Sequence, residues 1–153
     1  MGIWYHLLVA VNEGQIAEAV RRDSPWWRDP GWAAADRDLR EVEASGIGYD
    51  PAPLADLQAG GLYLLHGPRR VGKTVSVKRA IQTLLAGGIN PLRVVCITVD
   101  GWQANRLATL YWYVVRVLTS SVGDATRYWF VDEVTACRGA WWSTVKNLRD
   151  NTD

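Results

Sequence analysis

The feature that most constrains the fold of this chain is residues 67–74, which read Gly-Pro-Arg-Arg-Val-Gly-Lys-Thr. They match the pattern G-x-x-x-x-G-K-[ST], in which glycines let several backbone N–H groups converge on one point. The apolar run 62–65 precedes the pattern, and a segment of helical periodicity follows it. A strand, a glycine-rich loop and a helix in this order predict a phosphate-binding loop, because the helix N-terminus adds unpaired N–H groups and partial positive charge. The flanking segments argue against an ordinary Gly-Lys-Thr turn.

This loop predicts a site for a nucleotide and Mg²⁺. We expect Lys73 to reach the β- and γ-phosphates and the hydroxyl of Thr74 to bind Mg²⁺. The residues expected to contact the nucleotide are Gly67, Pro68, Arg69, Arg70, Val71, Gly72, Lys73, Thr74 and Val75.

A second motif is found at residues 128–133, which read Tyr-Trp-Phe-Val-Asp-Glu, with Asp132 58 residues after Thr74. A parallel strand that is buried on both faces must be apolar, and an acid at its C-terminal tip points into the ligand crevice. We therefore expect Asp132 to bind Mg²⁺ through a water molecule. We expect Glu133 to orient or deprotonate the attacking water. The predicted catalytic residues are Glu133 and Lys73, and the predicted metal ligands are Thr74 and Asp132.

The alternation of apolar runs and helical periodicity predicts an α/β fold with a parallel sheet. Strands are expected at 62–66, 93–99 and 128–132. Helices are expected at 3–11, 14–22, 33–44, 103–120 and 139–150, with a further helix from the loop to about 86. Residues 45–61 contain Gly and Pro and are expected to form a linker with one helical turn.

Charge divides the chain into two parts. Residues 1–60 carry five Arg and ten acidic residues, a net charge of −5, and residues 61–153 carry twelve basic and six acidic residues, a net charge of +6. A basic region suits a polyphosphate ligand. The overall charge of +1 argues against non-specific nucleic-acid binding by the whole chain, although a local patch stays possible. We expect a helical N-terminal extension and linker at 1–60 and a nucleotide-binding core at 61–153.

The remaining composition bears on the cellular compartment. Cys96 and Cys137 have no nearby His cluster, so neither a disulfide nor a zinc site is expected, and a reduced, cytoplasmic protein is the simplest interpretation. No apolar run approaches the roughly 18 residues of a membrane span, so no membrane partner is expected. The nine Trp residues are expected to pack mainly in the core. Trp26 and Trp27 form the pair most open to base stacking or partner binding.

The loop at 67–74, together with Asp132 and Glu133, resembles the AAA-type P-loop ATPases of the additional-strand class. The form Gly-x-Arg-x-x-Gly-Lys-Thr, with the preceding Trp26-Trp27 pair, resembles a bacterial and archaeal branch of ATP-binding AAA domains. The resemblance covers about residues 20–150. It implies a three-layer α/β/α fold, ATP and Mg²⁺ as cofactors, hydrolysis of ATP, and a homo-oligomer or a downstream domain as partner.

In that class a fourth strand lies between the strand before the loop and the acidic strand, and a sensor residue and a trans-acting arginine come later in the chain. Only three strands are expected here, so the resemblance implies an incomplete sheet and an N-terminal fragment of a longer ATP hydrolase. This chain alone is then expected to bind nucleotide with little or no turnover. Two alternatives stay open: a nucleotide-dependent switch, which binds ATP or ADP to control a partner with little turnover, and, with less support, a small-molecule kinase.

Overall fold

The sheet of this mixed α/β structure contains two parallel strands, β1 (Val94–Thr98) and β2 (Tyr128–Asp132). The structure is a computed structural model that describes residues 3–48, 51–58, 60–123 and 126–150, without the side chains of 3–12, 117–122 and 148. The helices are α1 (Ile3–Asp23), α2 (Trp32–Ala35), α3 (Arg37–Ser45), α4 (Ala52–Ala55), α5 (Lys73–Ala86), α6 (Ala104–Val122) and α7 (Trp141–Asp150). Short 3₁₀ turns occupy Pro25–Trp27, Pro91–Arg93 and Val134–Ala136.

Successive residues of β1 belong to two separate hydrophobic clusters. Val95 and Ile97 pack in a cluster with buried residues of α1 and α6. Val94 packs in the other cluster, with Phe130 of β2 and with Ile81 of α5. Because side chains alternate across a strand, the two clusters cover opposite faces of the sheet. This double burial explains why β1 is apolar from Val94 to Ile97.

The outer edge of β1 is closed by side chains at the end of α1 and just after it, not by another strand. The backbone N–H of Thr98 donates to the carboxylate Oδ2 of Asp23 at 2.9 Å. The hydroxyl of Ser24 accepts the N–H of Cys96 at 2.9 Å and donates to the carbonyl oxygen of the same residue at 3.0 Å. An edge strand normally leaves these backbone groups open to pairing with another chain.

The Trp pair completes this edge. The indole N–H groups of Trp26 and Trp27 both donate to the carbonyl oxygen of Val94, at 2.9 and 2.8 Å. Trp26 is 3% exposed and packs against Trp32, with 5.1 Å between ring centroids. Both indoles therefore form hydrogen bonds with the edge of the sheet. This structural role explains the Trp pair without a role in base stacking.

The prediction of a strand at 62–66 is wrong. These residues form no regular structure and pair with neither strand, and the side chains of Leu62 and Leu64 are 56% and 73% exposed. A strand requires a neighbour that accepts and donates its backbone hydrogen bonds, and an apolar sequence alone does not supply one. The sheet of the described residues accordingly has two strands where three were expected.

Two helix predictions also need correction. The helices expected at 3–11 and 14–22 form the single helix α1, because one exposed glycine, Gly14, costs only about 1 kcal/mol in a helix and does not end it. The helix expected at 33–44 is divided into α2 and α3 by Asp36, which is extended and accepts the N–H of Leu39 at 3.0 Å as the N-cap of α3. The other predicted helices and strands are confirmed to within one or two residues, and α4 is the turn expected in the linker. No helix in the described part of the chain is long and apolar enough to cross a membrane.

Candidate functional site

The loop at 67–74 turns sharply before α5 begins. Gly72, at φ 86°, takes a left-handed conformation that an L-residue rarely adopts. Arg70 also has a positive φ, 64°. The loop leads directly into α5, whose first residue is Lys73. The first N–H groups of a helix have no acceptor within it, so this end of α5 presents unpaired donors and the positive end of the helix dipole.

Hydrogen bonds hold the loop and the first turn of α5 together. The ammonium of Lys73 donates to the carbonyl oxygens of Gly67 at 2.9 Å and Pro68 at 2.5 Å. Ser76 is buried, and both its backbone N–H and its hydroxyl donate to the carbonyl oxygen of Gly72, at 2.9 and 3.1 Å. The lysine thus folds over the loop, where it can exchange carbonyl oxygens for the oxygens of a phosphate.

Thr74 and Asp132 meet at the edge of the sheet. The hydroxyl of Thr74, in the first turn of α5, donates to Oδ2 of Asp132 at 3.0 Å, although the two residues are 58 positions apart. The other carboxylate oxygen, Oδ1, accepts the backbone N–H of Glu133 at 2.9 Å. The two residues expected to bind Mg²⁺ are therefore in contact at the C-terminal tip of β2.

Glu133 follows this tip in a left-handed conformation, with φ 55°. Its carbonyl oxygen accepts the N–H of Ala136 at 2.9 Å, which starts the turn that follows. Glu133 and Arg70 are the two non-glycine residues with positive φ in the described part of the chain. Such conformations cost about 1–3 kcal/mol and cluster at functional sites. Both lie in the segments where the site was expected.

The hydroxyl and carboxylate in contact here suit a Mg²⁺ ion that also binds water and phosphate, and they do not suffice for a metal site built from protein side chains alone. Among the described residues, no three His, Cys, Asp or Glu side chains come close enough to hold a metal ion alone. Mg²⁺ is a hard cation that is usually held by one or two carboxylates, water and the phosphates of a substrate. One hydroxyl and one carboxylate, from Thr74 and Asp132, meet that requirement at this position.

The other expected contact residues are placed less uniformly. Pro68, Arg69 and Val71 are exposed at the outside of the loop. Val75 packs its side chain against the core, which leaves its backbone as the part able to face a nucleotide. A cleft beside the loop is lined by Pro51, Leu65, His66, Val71, Lys73 and Ser76. Four of these residues were not among those expected at the site: Pro51, Leu65, His66 and Ser76. None of them belongs to the loop pattern, and the linker carries no signal that it returns to the loop.

The cysteines take no part in this chemistry. Burial, reinforced by the charges of Asp23 and Asp132, raises the pKa of the Cys96 thiol to about 12. Burial also raises the pKa of Cys137. Both thiols are therefore protonated at neutral pH and poor nucleophiles. Both cysteines are free, which confirms that no disulfide joins them.

A family model described as an AAA domain matches residues 60–153. No curated protein and no solved structure shows significant similarity to the chain.

Proposed function

The chain belongs to the AAA domain family, and from that premise we propose that it binds ATP with Mg²⁺ at residues 67–75 and hydrolyses it. Membership in the family carries a nucleotide-binding, ATPase-like function. The identity of the metal, the roles of individual residues and the hydrolytic step are our proposal. The observation that carries it is the 3.0 Å hydrogen bond between Thr74 and Asp132, which unites the end of the loop with the acidic strand.

In the proposed binding mode, the N–H groups of the loop and of the first turn of α5 surround the phosphates. Lys73 exchanges its bonds to Gly67 and Pro68 for bonds to the β- and γ-phosphates, which are stronger because both partners are charged. Thr74 and Asp132 hold Mg²⁺. The chemistry that Mg²⁺ supplies when bound is the neutralisation of charge on the β- and γ-phosphate oxygens.

Glu133 is the proposed base for the attacking water. It adjoins Asp132 and is exposed, and its carboxylate accepts no hydrogen bond from any described residue, so it stays available to water. Its left-handed backbone is a strained conformation at the place where a catalytic group is expected. A switch that binds nucleotide with little turnover would share the loop contacts, and it would differ in the activation of water by Glu133.

The wider architecture is also a proposal. We propose a three-layer α/β/α arrangement, which is supported by the two hydrophobic clusters on opposite faces of β1. We retain a helical extension over 1–60 and a nucleotide-binding core over 61–153, with the extension packed on the core through residues 23–27. A homo-oligomer or a further domain as partner, and a cytoplasmic location, stay predictions.

The test of nucleotide binding is Lys73→Ala, with Lys146→Ala as the control because Lys146 is an exposed lysine of α7. We expect Lys73→Ala to weaken MgATP binding at least about tenfold, since hydrogen bonds between charged groups contribute roughly 1.5–3 kcal/mol. Titration calorimetry measures both affinities at equal salt. A Lys73→Ala affinity within about twofold of the unaltered protein, the size of change expected from a surface substitution, would remove the loop from the proposal.

A further inference from the structure

Asp23, the last residue of α1, lies outside the matched region and reaches the same end of the sheet as Asp132. Its Oδ2 accepts the N–H of Thr98, the final residue of β1, at 2.9 Å. Thr98 lies opposite Asp132 in the register of the two strands, and the next N–H, of Val99, donates to the carbonyl oxygen of Asp132 at 3.0 Å. Two aspartates therefore hold the tip of β1 from its two opposite edges.

Several contacts hold the Asp23 carboxylate in place. The side chain is 13% exposed, and Nε of Arg22 donates to Oδ1 at 2.7 Å. Oδ2 accepts the Thr98 amide at 2.9 Å and, at the longer distance of 3.3 Å, Nη2 of Arg22. Two residues back along β1, Ser24 pairs with both backbone groups of Cys96. The strand edge is thus secured at successive outward-facing positions by one short segment.

We propose that Asp23 is a positioning residue for the Mg²⁺ site. The terminal pair of a short two-stranded sheet is where local opening is easiest, because it has the fewest supporting bonds. The charge-assisted bond from Asp23 to Thr98 restrains that pair, and the adjacent Val99 bond transmits the restraint to Asp132 beside Thr74. Residues that hold a metal ligand in place affect metal affinity without touching the metal. This inference rests on the proposed nucleotide function.

The test separates the metal from the nucleotide. A fluorescent ATP analogue is titrated into the whole chain once with Mg²⁺ and once with EDTA, and the ratio of the two affinities gives the gain due to Mg²⁺. We expect Asp23→Ala to reduce that gain about tenfold, the lower end of the loss typical for second-layer residues of metal sites. The EDTA affinity, which depends on the loop, stays the same.

Two matched variants distinguish positioning from general damage. Asp23→Asn keeps an oxygen that can accept the Thr98 N–H, so we expect it to recover most of the gain due to Mg²⁺. Glu18→Ala removes an exposed carboxylate from the same helix and is expected to leave both affinities unchanged. If Asp23→Ala does not fold, Thr98→Pro deletes the same hydrogen bond from the strand side, at an edge position where proline is tolerated, and the same loss is expected.

The proposal is overturned if folded Asp23→Ala, or Thr98→Pro in its place, retains the full gain due to Mg²⁺. It is also overturned if Asp23→Asn is as impaired as Asp23→Ala. If the unaltered protein binds no nucleotide at all, the proposed function fails first. Amide hydrogen exchange then tests the restraint separately: faster exchange of the Val99 N–H in Asp23→Ala supports it, and unchanged exchange overturns it.

Discussion

The candidate site has two halves, the loop and the acidic pair, and each is connected to an apolar segment. The two segments are similar in sequence and differ in structure. Residues 62–66, Leu-Tyr-Leu-Leu-His, precede the loop, and residues 128–132, Tyr-Trp-Phe-Val-Asp, carry the acidic half. The second segment is a strand paired with β1, and its Phe130 is 9% exposed. The first segment pairs with neither strand, and its Leu64 is 73% exposed. Hydrophobicity thus produced a strand only where a neighbour supplied backbone hydrogen bonds and cover.

This difference determines how each half is held. Asp132 and Glu133 extend from a strand that is bonded to β1 along its length. The loop instead depends on the helix after it, through the bonds of Ser76 to Gly72 and of Thr74 to Asp132. The Thr74–Asp132 hydrogen bond therefore joins a half supported by strand pairing to a half supported by a helix.

The largest effect is expected in the half supported by the strand. Glu133→Gln removes the proposed base and keeps the shape of the side chain, so ATP hydrolysis is expected to slow roughly 10²–10⁴-fold while MgATP affinity is retained. Phosphate release and titration calorimetry measure the two properties, with Glu43→Gln, an exposed residue of α3, as the control. Undiminished turnover would assign the base to another group. Tight binding without turnover in the unaltered protein would favour either the nucleotide-dependent switch or the low turnover that the family resemblance implies for this chain alone.

A pair of truncations compares a paired segment with the unpaired one directly. Ile97→Ala, at a fully buried position of β1, is expected to lower the free energy of unfolding by about 2–5 kcal/mol, because it leaves a cavity. Leu64→Ala is expected to change it by no more than about 0.5 kcal/mol, as surface substitutions usually do. Denaturant unfolding measures both. A large loss for Leu64→Ala would mean that 62–66 is paired and covered in solution, and the comparison would break down.

The smallest expected effect is a change in the pH dependence of stability, and it comes from ion pairs of α5, the helix that supports the loop. Lys78 of α5 donates to Asp36 at 2.7 Å and to Asp38 at 2.7 Å. Burial alone raises the pKa of Asp36, but the hydrogen bonds from Lys78 and from the Leu39 N–H, with the lysine charge, outweigh it and lower the pKa below its ordinary value. For Lys78, burial lowers the pKa, and the bonds to the two aspartates outweigh it and raise the pKa.

A lowered carboxylate pKa contributes stability that is present above the unfolded-state pKa and is lost as the pH falls through the folded-state value. Between about pH 6 and about pH 3 we therefore expect the unaltered protein to lose more stability than Lys78→Met, by an amount of about 1 kcal/mol or less for a partly exposed pair. Urea unfolding at the two pH values measures this difference. Equal acid sensitivity in the two proteins would show that the ion pairs do not tie α5 to α3.

Much of this protein was predictable from local sequence. The left-handed turn at Gly72 and the start of α5 depend on neighbouring residues, and so does the apolar strand that ends in Asp132. Thr74 and Asp132, the two expected metal ligands, are in contact, because the carboxyl ends of parallel strands and the following helix N-termini share one edge of a sheet. Their role in binding a metal stays a prediction. The chain belongs to the family that these residues resembled.

The tertiary structure alone decided which segments have partners. Residues 62–66 and 94–98 carry similar local signals, yet only 94–98 gains a paired strand on one side and the side chains of Asp23, Ser24, Trp26 and Trp27 on the other. No periodic pattern in residues 23–27 predicts that they bind a strand about 70 positions away. Local preferences are set by adjacent residues, whereas pairing depends on which distant groups are brought together, and backbone polar groups take whatever partner that encounter supplies.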